Sequence, residues 1–241
     1  MNTDRQKLTL NDLDVEVIKK DIKNVHLSVY PPNGRIKVSA PISMNMDTLR
    51  VFVISKLGWI RQQQQKLREQ ERETPRDYIE RESHYFWGKR FLLELIEKEA
   101  PPAVRLKHSA IRLQVRPGSS IEAREKLLDE WYRGQLKTAI DPLLARWQKK
   151  LGVQVSRVLV QRMKTKWGGC NPATRIIRLN LELAKKPQEC LEYILVHELL
   201  HLLEPTHNTR FKSLLKQHMP QWSSHRELLN RLPVRHEHWR Y

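Results

Sequence analysis

The sequence predicts an α+β fold: a β-rich N-terminal region with one long helix, then a mainly helical domain carrying a small antiparallel sheet. Three observations predict it. Apolar residues alternate with polar ones in segments of residues 25–39 and 89–115. From Glu122 onward they recur at helical spacing. Tyr193 to Leu203 is apolar enough for a buried helix. The boundary is expected after Gly118, giving a region 1–118 and a domain 119–241.

The elements follow in order. Val25 to Tyr30 and Arg35 to Ser39 alternate, with the hairpin signal Asn33-Gly34 between them. Asp47 can cap a helix that starts near Thr48 and carries Leu49, Phe52, Val53, Leu57, Ile60 and Leu67. Its polar end, Gln62 to Glu73, projects into solvent, and Thr74-Pro75 breaks it. Strands are expected at Lys89 to Ile96, Ala103 to Leu106 and Ile111 to Val115, closed by a turn at 116–120. A helix runs from Glu122 through Leu127, Trp131, Leu136 and Ile140. Asp141-Pro142 starts a new helix, with proline at its first position, and Gly152 ends it. Two strands follow, Val155 to Met163 and Arg175 to Leu183, linked by Lys164 to Pro172. Pro187 opens the next helix.

That helix contains His197-Glu198-Leu199-Leu200-His201, which reads H-E-x-x-H. Two histidines four apart lie on one helical face, about one turn from each other. The pair can hold one zinc ion, Zn2+, with the glutamate beside the reacting water. Glu198 is the candidate catalytic base. Pro205 ends the helix, Thr206 can cap a following helix near His207, and the turn can bring His207 back to the His197/His201 face. The spacing from second to third histidine matches H-E-x-x-H-x-x-G-x-x-H zinc proteases, with Glu204 in place of their glycine. Glu204 is a rival third ligand. It lies about two helical turns from His197, roughly 10 Å along the axis. His207 is therefore preferred as a ligand, and Glu204 is assigned to orienting a histidine. The competing reading is a buried helix with two satisfied histidines. The apolar flank, Pro187 and His207 weigh against it. His218 and His225 fall on terminal helices, His236 and His238 in a charged tail, and His26, His84 and His108 read as isolated surface groups. The pattern points to a metal-dependent hydrolase, with a peptidase foremost and a peptide or protein as substrate.

Composition narrows the setting. Neither an 18-residue apolar run nor an apolar signal core is present, so no membrane span is expected. Cys170 and Cys190 do not make a disulfide framework, which points to the cytoplasm. The net charge is +17. No acid occurs between Asp141 and Glu182, whereas that interval holds Arg146, Lys149, Lys150, Arg157, Arg162, Lys164, Lys166, Arg175 and Arg178. A basic 142–181 stretch favours nucleic acid or acidic peptides as partners, with a plain solubilising surface as the alternative.

Lys166 to Cys170, Ile177 to Asn180, Tyr193 to Leu202, His207 and Phe211 together resemble the YgjP-like metal-dependent hydrolases, relatives of the SprT-type zinc proteases. The resemblance extends to Val29 to Pro41, Leu57 to Ile60 and Trp87 to Phe91. It implies a zincin-like metallopeptidase domain with an active-site helix, zinc on His197, His201 and His207, and Glu198 as the catalytic residue. Serine is usual at positions 169 and 171 and tryptophan after the phenylalanine, where this chain has Gly169, Asn171 and Lys212. Trp167 either walls the substrate cleft or pins its loop to the core. Gly168 and Gly169 let that loop approach the metal closely, and Arg178 joins Trp167 and Gly168 as a substrate contact. The Arg175 to Leu183 strand can pair with an extended peptide if it lies at an edge. SprT-type relatives cleave proteins on DNA, so a DNA-linked protease or a non-hydrolytic nucleic-acid module is the alternative function.

Overall fold

The computed structural model describes residues 4–10, 12–30, 34–69 and 73–233. Its contacts divide the chain into two units, residues 1–72 and residues 73–235. In the first, β1 (Asp4–Leu10), β2 (Leu13–Lys20), β3 (His26–Tyr30) and β4 (Arg35–Pro41) form one sheet in the order β1-β2-β4-β3. β2 and β4 run parallel and the other pairs antiparallel. Leu13, Val15 and Val17 alternate inward on β2, as do Ile36, Val38 and Ala40 on β4. Leu49, Val53 and Ile60 cover that face. They belong to α1 (Met46–Ser55) and α2 (Leu57–Glu69), which a one-residue break at Lys56 separates. The cap is Asn45 rather than Asp47. Its side chain accepts from the Thr48 amide at 2.8 Å, and Asp47 sits in the first turn, where the helix dipole favours an acid. Of the expected Asn33-Gly34 turn, only Gly34 lies within the described residues; its amide donates to the Tyr30 carbonyl at 2.9 Å.

The second unit opens with β5 (Ser83–Phe86), β6 (Lys89–Glu97), β7 (Ala103–Lys107) and β8 (Ala110–Val115), ordered β5-β6-β8-β7. α3 (Ile121–Leu151) follows, capped by Ser120 and ended by Gly152 in the left-handed conformation. It is one helix, not two. Proline lacks an amide hydrogen, but Leu136, Ile140, Trp147 and Leu151 form one buried stripe that continues in phase across Pro142. Next come β9 (Arg157–Gln161), β10 (Gly168–Asn171) and β11 (Ile176–Asn180), a sheet ordered β10-β11-β9. This sheet is mixed rather than wholly antiparallel: β9 and β11 are parallel. The chain crosses from β9 past β11, forms β10 within the expected link, and returns by a hairpin. A 3-10 turn, Leu181–Lys185, leads into α4 (Gln188–Leu200), then α5 (Thr209–His218) and α6 (Trp222–Arg231).

One core explains why the division falls at Arg72/Glu73 and not after Gly118. Leu93, Ile111 and Leu113 from the four-stranded sheet share a buried cluster with Leu128 and Leu136 of α3, Ile177 and Leu179 of β11, and Leu195 and Leu199 of α4. The β5–β6 turn also fixes the start of α4. Trp87 and Gly88 both have positive φ, as a two-residue hairpin turn requires. Their amides donate to the carbonyls of Ala184 (2.9 Å) and Lys185 (3.2 Å). A Cβ at Gly88 would lie 2.7 Å from Pro187 Cγ, so only glycine lets the turn seat against the mouth of α4.

Candidate metal centre

α4 is buried on every side: Cys190, Leu191, Tyr193 to Val196 and Glu198 to Leu200 are all inside. This packing holds His197 and His201 on one face, with ring centroids 5.0 Å apart. The helix ends at His201. The Leu203 and Glu204 amides both donate to the Leu200 carbonyl, at 2.9 and 2.8 Å, and Pro205 prevents continuation. Asn208, rather than Thr206, caps α5; its side chain accepts from the Phe211 amide at 2.9 Å. His207 is therefore held in the turn before the cap, not inside a helix. Its Nε2 comes 2.8 Å from His197 Nε2.

Phe211 backs all three imidazoles. Its ring stacks on His201 at 4.7 Å and meets His197 and His207 edge-on, each at 4.9 Å. One nitrogen from each histidine lies within 4.8 Å of the others. Burial pushes the His197 imidazole down to about 3, with His201, His207 and Arg226 adding to the effect. Burial also lowers His201. At neutral pH these two rings are uncharged, each with one nitrogen free to ligate, as metal ligands must have. His201 Nδ1 lies 3.1 Å from the Glu204 backbone carbonyl, so Nδ1 carries the proton and Nε2 is left as the ligand atom. His197 Nδ1 is buried with no hydrogen-bond partner among the described residues. Three imidazoles with no carboxylate among them fit a borderline-soft divalent ion such as zinc.

Glu204 thus reaches the site through its backbone. Its carboxylate turns to Thr206 Oγ1 at 3.2 Å and Arg210 at 3.9 Å. Glu198 is 5% exposed and packs against Gly168 of β10. Burial raises its carboxyl to about 7, partly offset by the Lys166 charge. A Cβ at Gly168 would lie 2.6 Å from Glu198 Oε1 and 2.9 Å from Ile194 Cγ2. The missing side chain at 168 therefore makes the room that Glu198 occupies. Cys170 is on the same face of β10, and burial together with the Glu198 charge pushes its thiol up to about 11. Both cysteines are free.

Two residues hold the loop before β10. Asn180 Nδ2 donates to the carbonyls of Met163 and Lys166, both at 2.8 Å, while its backbone amide donates to the Trp167 carbonyl at 2.9 Å. Trp167 is half-buried against the core, so its ring serves to pin the loop. Asn180 appeared in the sequence only within a motif. A polar residue ending an otherwise apolar strand was the signal of its role. β10 and β9 are the sheet's two edges and β11 its middle strand, so the edge beside Glu198 is Gly168–Asn171, and the Arg175 to Leu183 segment does not lie at an edge. Arg178 pairs with Gly169, on the face of the sheet away from α4.

The remaining sequence expectations separate. His84 is not a surface group. It is 4% exposed, with Nε2 2.8 Å from Glu82. His26 and His108 are exposed, and His218 and His225 lie on α5 and α6. His236 and His238 lie outside the described residues. The basic stretch is less free than its sequence implies, because Arg162 pairs with Glu125 and Asp129 and Arg146 with Glu192. No helix among the described residues is long and apolar enough to cross a membrane.

An α+β unit whose H-E-x-x-H helix packs behind an edge strand, with a third histidine returned by a turn, defines a class: metal-dependent peptidases. The family model for the YgjP-like metallopeptidase domain matches residues 23–232, and the chain belongs to that family. Among solved structures it is similar to the zymogen of abylysin from Pyrococcus abyssi, at 23% identity over 37% of this chain and 90% of that one, with a TM-score of 0.35. It is also similar to the zymogen of jannalysin from Methanocaldococcus jannaschii, at 20% identity over 39% and 86%, with a TM-score of 0.32. No curated protein matches.

Proposed function

We propose that the protein is a zinc-dependent endopeptidase, with His197, His201 and His207 holding the ion and Glu198 as general base. The observation that carries this is the convergence of three imidazoles on Phe211, with a buried carboxyl at their side. A Zn2+ ion held by these three histidines would supply Lewis acidity for the scissile carbonyl and the attacking water. The chain's own groups do the rest. Glu198 takes the proton of the attacking water and passes it to the leaving amine. Its carboxyl, raised to about 7, is poised for transfer in both directions near neutral pH. The Glu204 carbonyl keeps His201 in its ligating tautomer.

β10 offers its unpaired edge to an extended peptide, and strand addition grips backbone on both sides of a scissile bond, which favours internal cleavage. Trp167 and Gly168 line that edge, and Arg178 reaches it from the neighbouring strand. The free thiols fit a cytoplasmic setting. The exposed cations Arg157, Lys164, Lys166 and Arg175 support a second reading, a protease or binding module linked to DNA. Steeply salt-dependent DNA binding without peptide cleavage would select it.

The test is Glu198→Gln at matched metal content. The substitution is expected to retain the ion and to lower kcat by about 100-fold or more. Undiminished turnover of a denatured protein substrate would rule out Glu198 as base.

A further inference from the structure

We propose that Arg178 selects peptides with an acidic side chain, glutamate foremost, at the position that pairs with Gly169. The inference rests on the reading above, that a peptide strand adds to β10. Residues directly opposite one another in a ladder point to the same face. Gly168 and Cys170 pair with Leu179 and Ile177, both fully buried, so they point toward α4. Gly169 pairs with Arg178, and these two positions point the other way. A substrate residue opposite Gly169 therefore projects to the same face as Arg178, two strand spacings away, about 10 Å. Arginine and glutamate side chains together span that distance, provided nothing stands between them.

Nothing does. The intervening residue has no side chain, and a Cβ there would meet no atom within 4 Å. On its other flank Arg178 is bounded by Leu159 of β9, so the open lane runs only toward the edge. Arg178 is half-buried and forms no ion pair among the described residues. No acid exists anywhere from residue 142 to 181 to supply one from the same sheet. An arginine fork with no carboxylate of its own, facing an empty lane that ends at the substrate edge, takes a carboxylate from the substrate. Arg157 shares this face of the sheet, so neighbouring acids are tolerated and basic side chains repelled.

The experiment uses full-length, zinc-loaded protein and internally quenched peptides in which one glutamine at a time, through the positions flanking the scissile bond, is replaced by glutamate. One position is expected to show kcat/KM about tenfold higher for glutamate than for glutamine at low salt. Arg178→Ala should abolish that ratio, bringing the glutamate and glutamine peptides to equal kcat/KM. Arg178→Glu should reverse it in favour of lysine, a gain that a merely structural role cannot produce. Gly169→Val should close the lane and shrink the ratio with Arg178 intact. Equal rates for glutamate and glutamine at every position overturn the proposal, as does a preference that survives Arg178→Ala. If no peptide is turned over, the same pairs are titrated against the metal-loaded Glu198→Gln variant. A glutamate preference there supports Arg178 and counts against the peptidase reading; equal affinities overturn the role of Arg178.

Discussion

Glu198 and Gly168 depend on each other, and this dependence is open to a mild substitution. A methyl group at 168 would sit 2.6 Å from Oε1 and 2.8 Å from Cγ of Glu198, closer than real contacts permit. Gly168→Ala should displace the carboxyl and lower kcat by about tenfold or more with metal content unchanged. Wild-type kcat in that variant would show that the carboxyl's seat is not set by β10. The histidines carry a pH prediction. Burial holds His197 at about 3 and also holds His201 below the ordinary 6.5. Between about 3 and 6.5 His197 binds more protons in the unfolded chain than in the folded one, whereas Glu198, raised to about 7, has the opposite effect between about 4.5 and 7. As pH falls from 6.5 toward 3, metal-free wild type should therefore lose more stability than metal-free His197→Phe. Thermal melts across that range read it, and a flat Tm for the His197→Phe and wild-type proteins alike would contradict it. At this scale the sequence was informative about spacing but not about atoms. That His197 and His201 share a face follows from a period of 3.6. That Glu204 orients His201 with its carbonyl rather than its carboxylate is a matter of backbone path, which residue identity does not encode.

The elements that read clearly in the sequence are those with an uninterrupted period. β3, β4, β6, β7 and β8 alternate, and α3 and α4 carry long apolar runs. β10 was hidden because it is four residues long, two of them glycine, and has no alternation to detect. β5 is equally short, whereas β2 carries a legible alternation at Leu13, Val15 and Val17. α3 read as two helices because proline at a helix start and proline tolerated inside one look alike without the tertiary stripe that Trp147 and Leu151 extend. The elements at the site also owe their placement to Asn180, whose side chain spans from β11 to the loop before β10. Asn180→Ala leaves two loop carbonyls without their donor and should cost about 1–3 kcal/mol. Denaturant melts measure that loss, and a change below about 0.5 kcal/mol would mean the loop is held by other contacts.

Across the whole molecule, the boundary and the charge were the features least legible in the sequence, for one reason: both depend on which residues meet in space. The sheet of β5 to β8 looked like part of an N-terminal region, yet it shares its core with α3 and α4. The acid-free stretch looked uniformly cationic, yet Glu125, Asp129 and Glu192 from outside it neutralise Arg162 and Arg146. The cations of that stretch that stay exposed are divided between Lys149 and Lys150 on α3 and Arg157, Lys164, Lys166 and Arg175 on or beside the β9–β11 sheet, so the net charge of +17 is not gathered on one surface. The chemistry stands or falls with the metal. Elemental analysis of the purified full-length protein and of His207→Ala tests it most directly. The account predicts a single zinc ion per chain in the wild type and its loss in the variant, with the fold retained. A wild type that takes up no metal, or a variant that keeps it undiminished, would contradict the three-histidine centre.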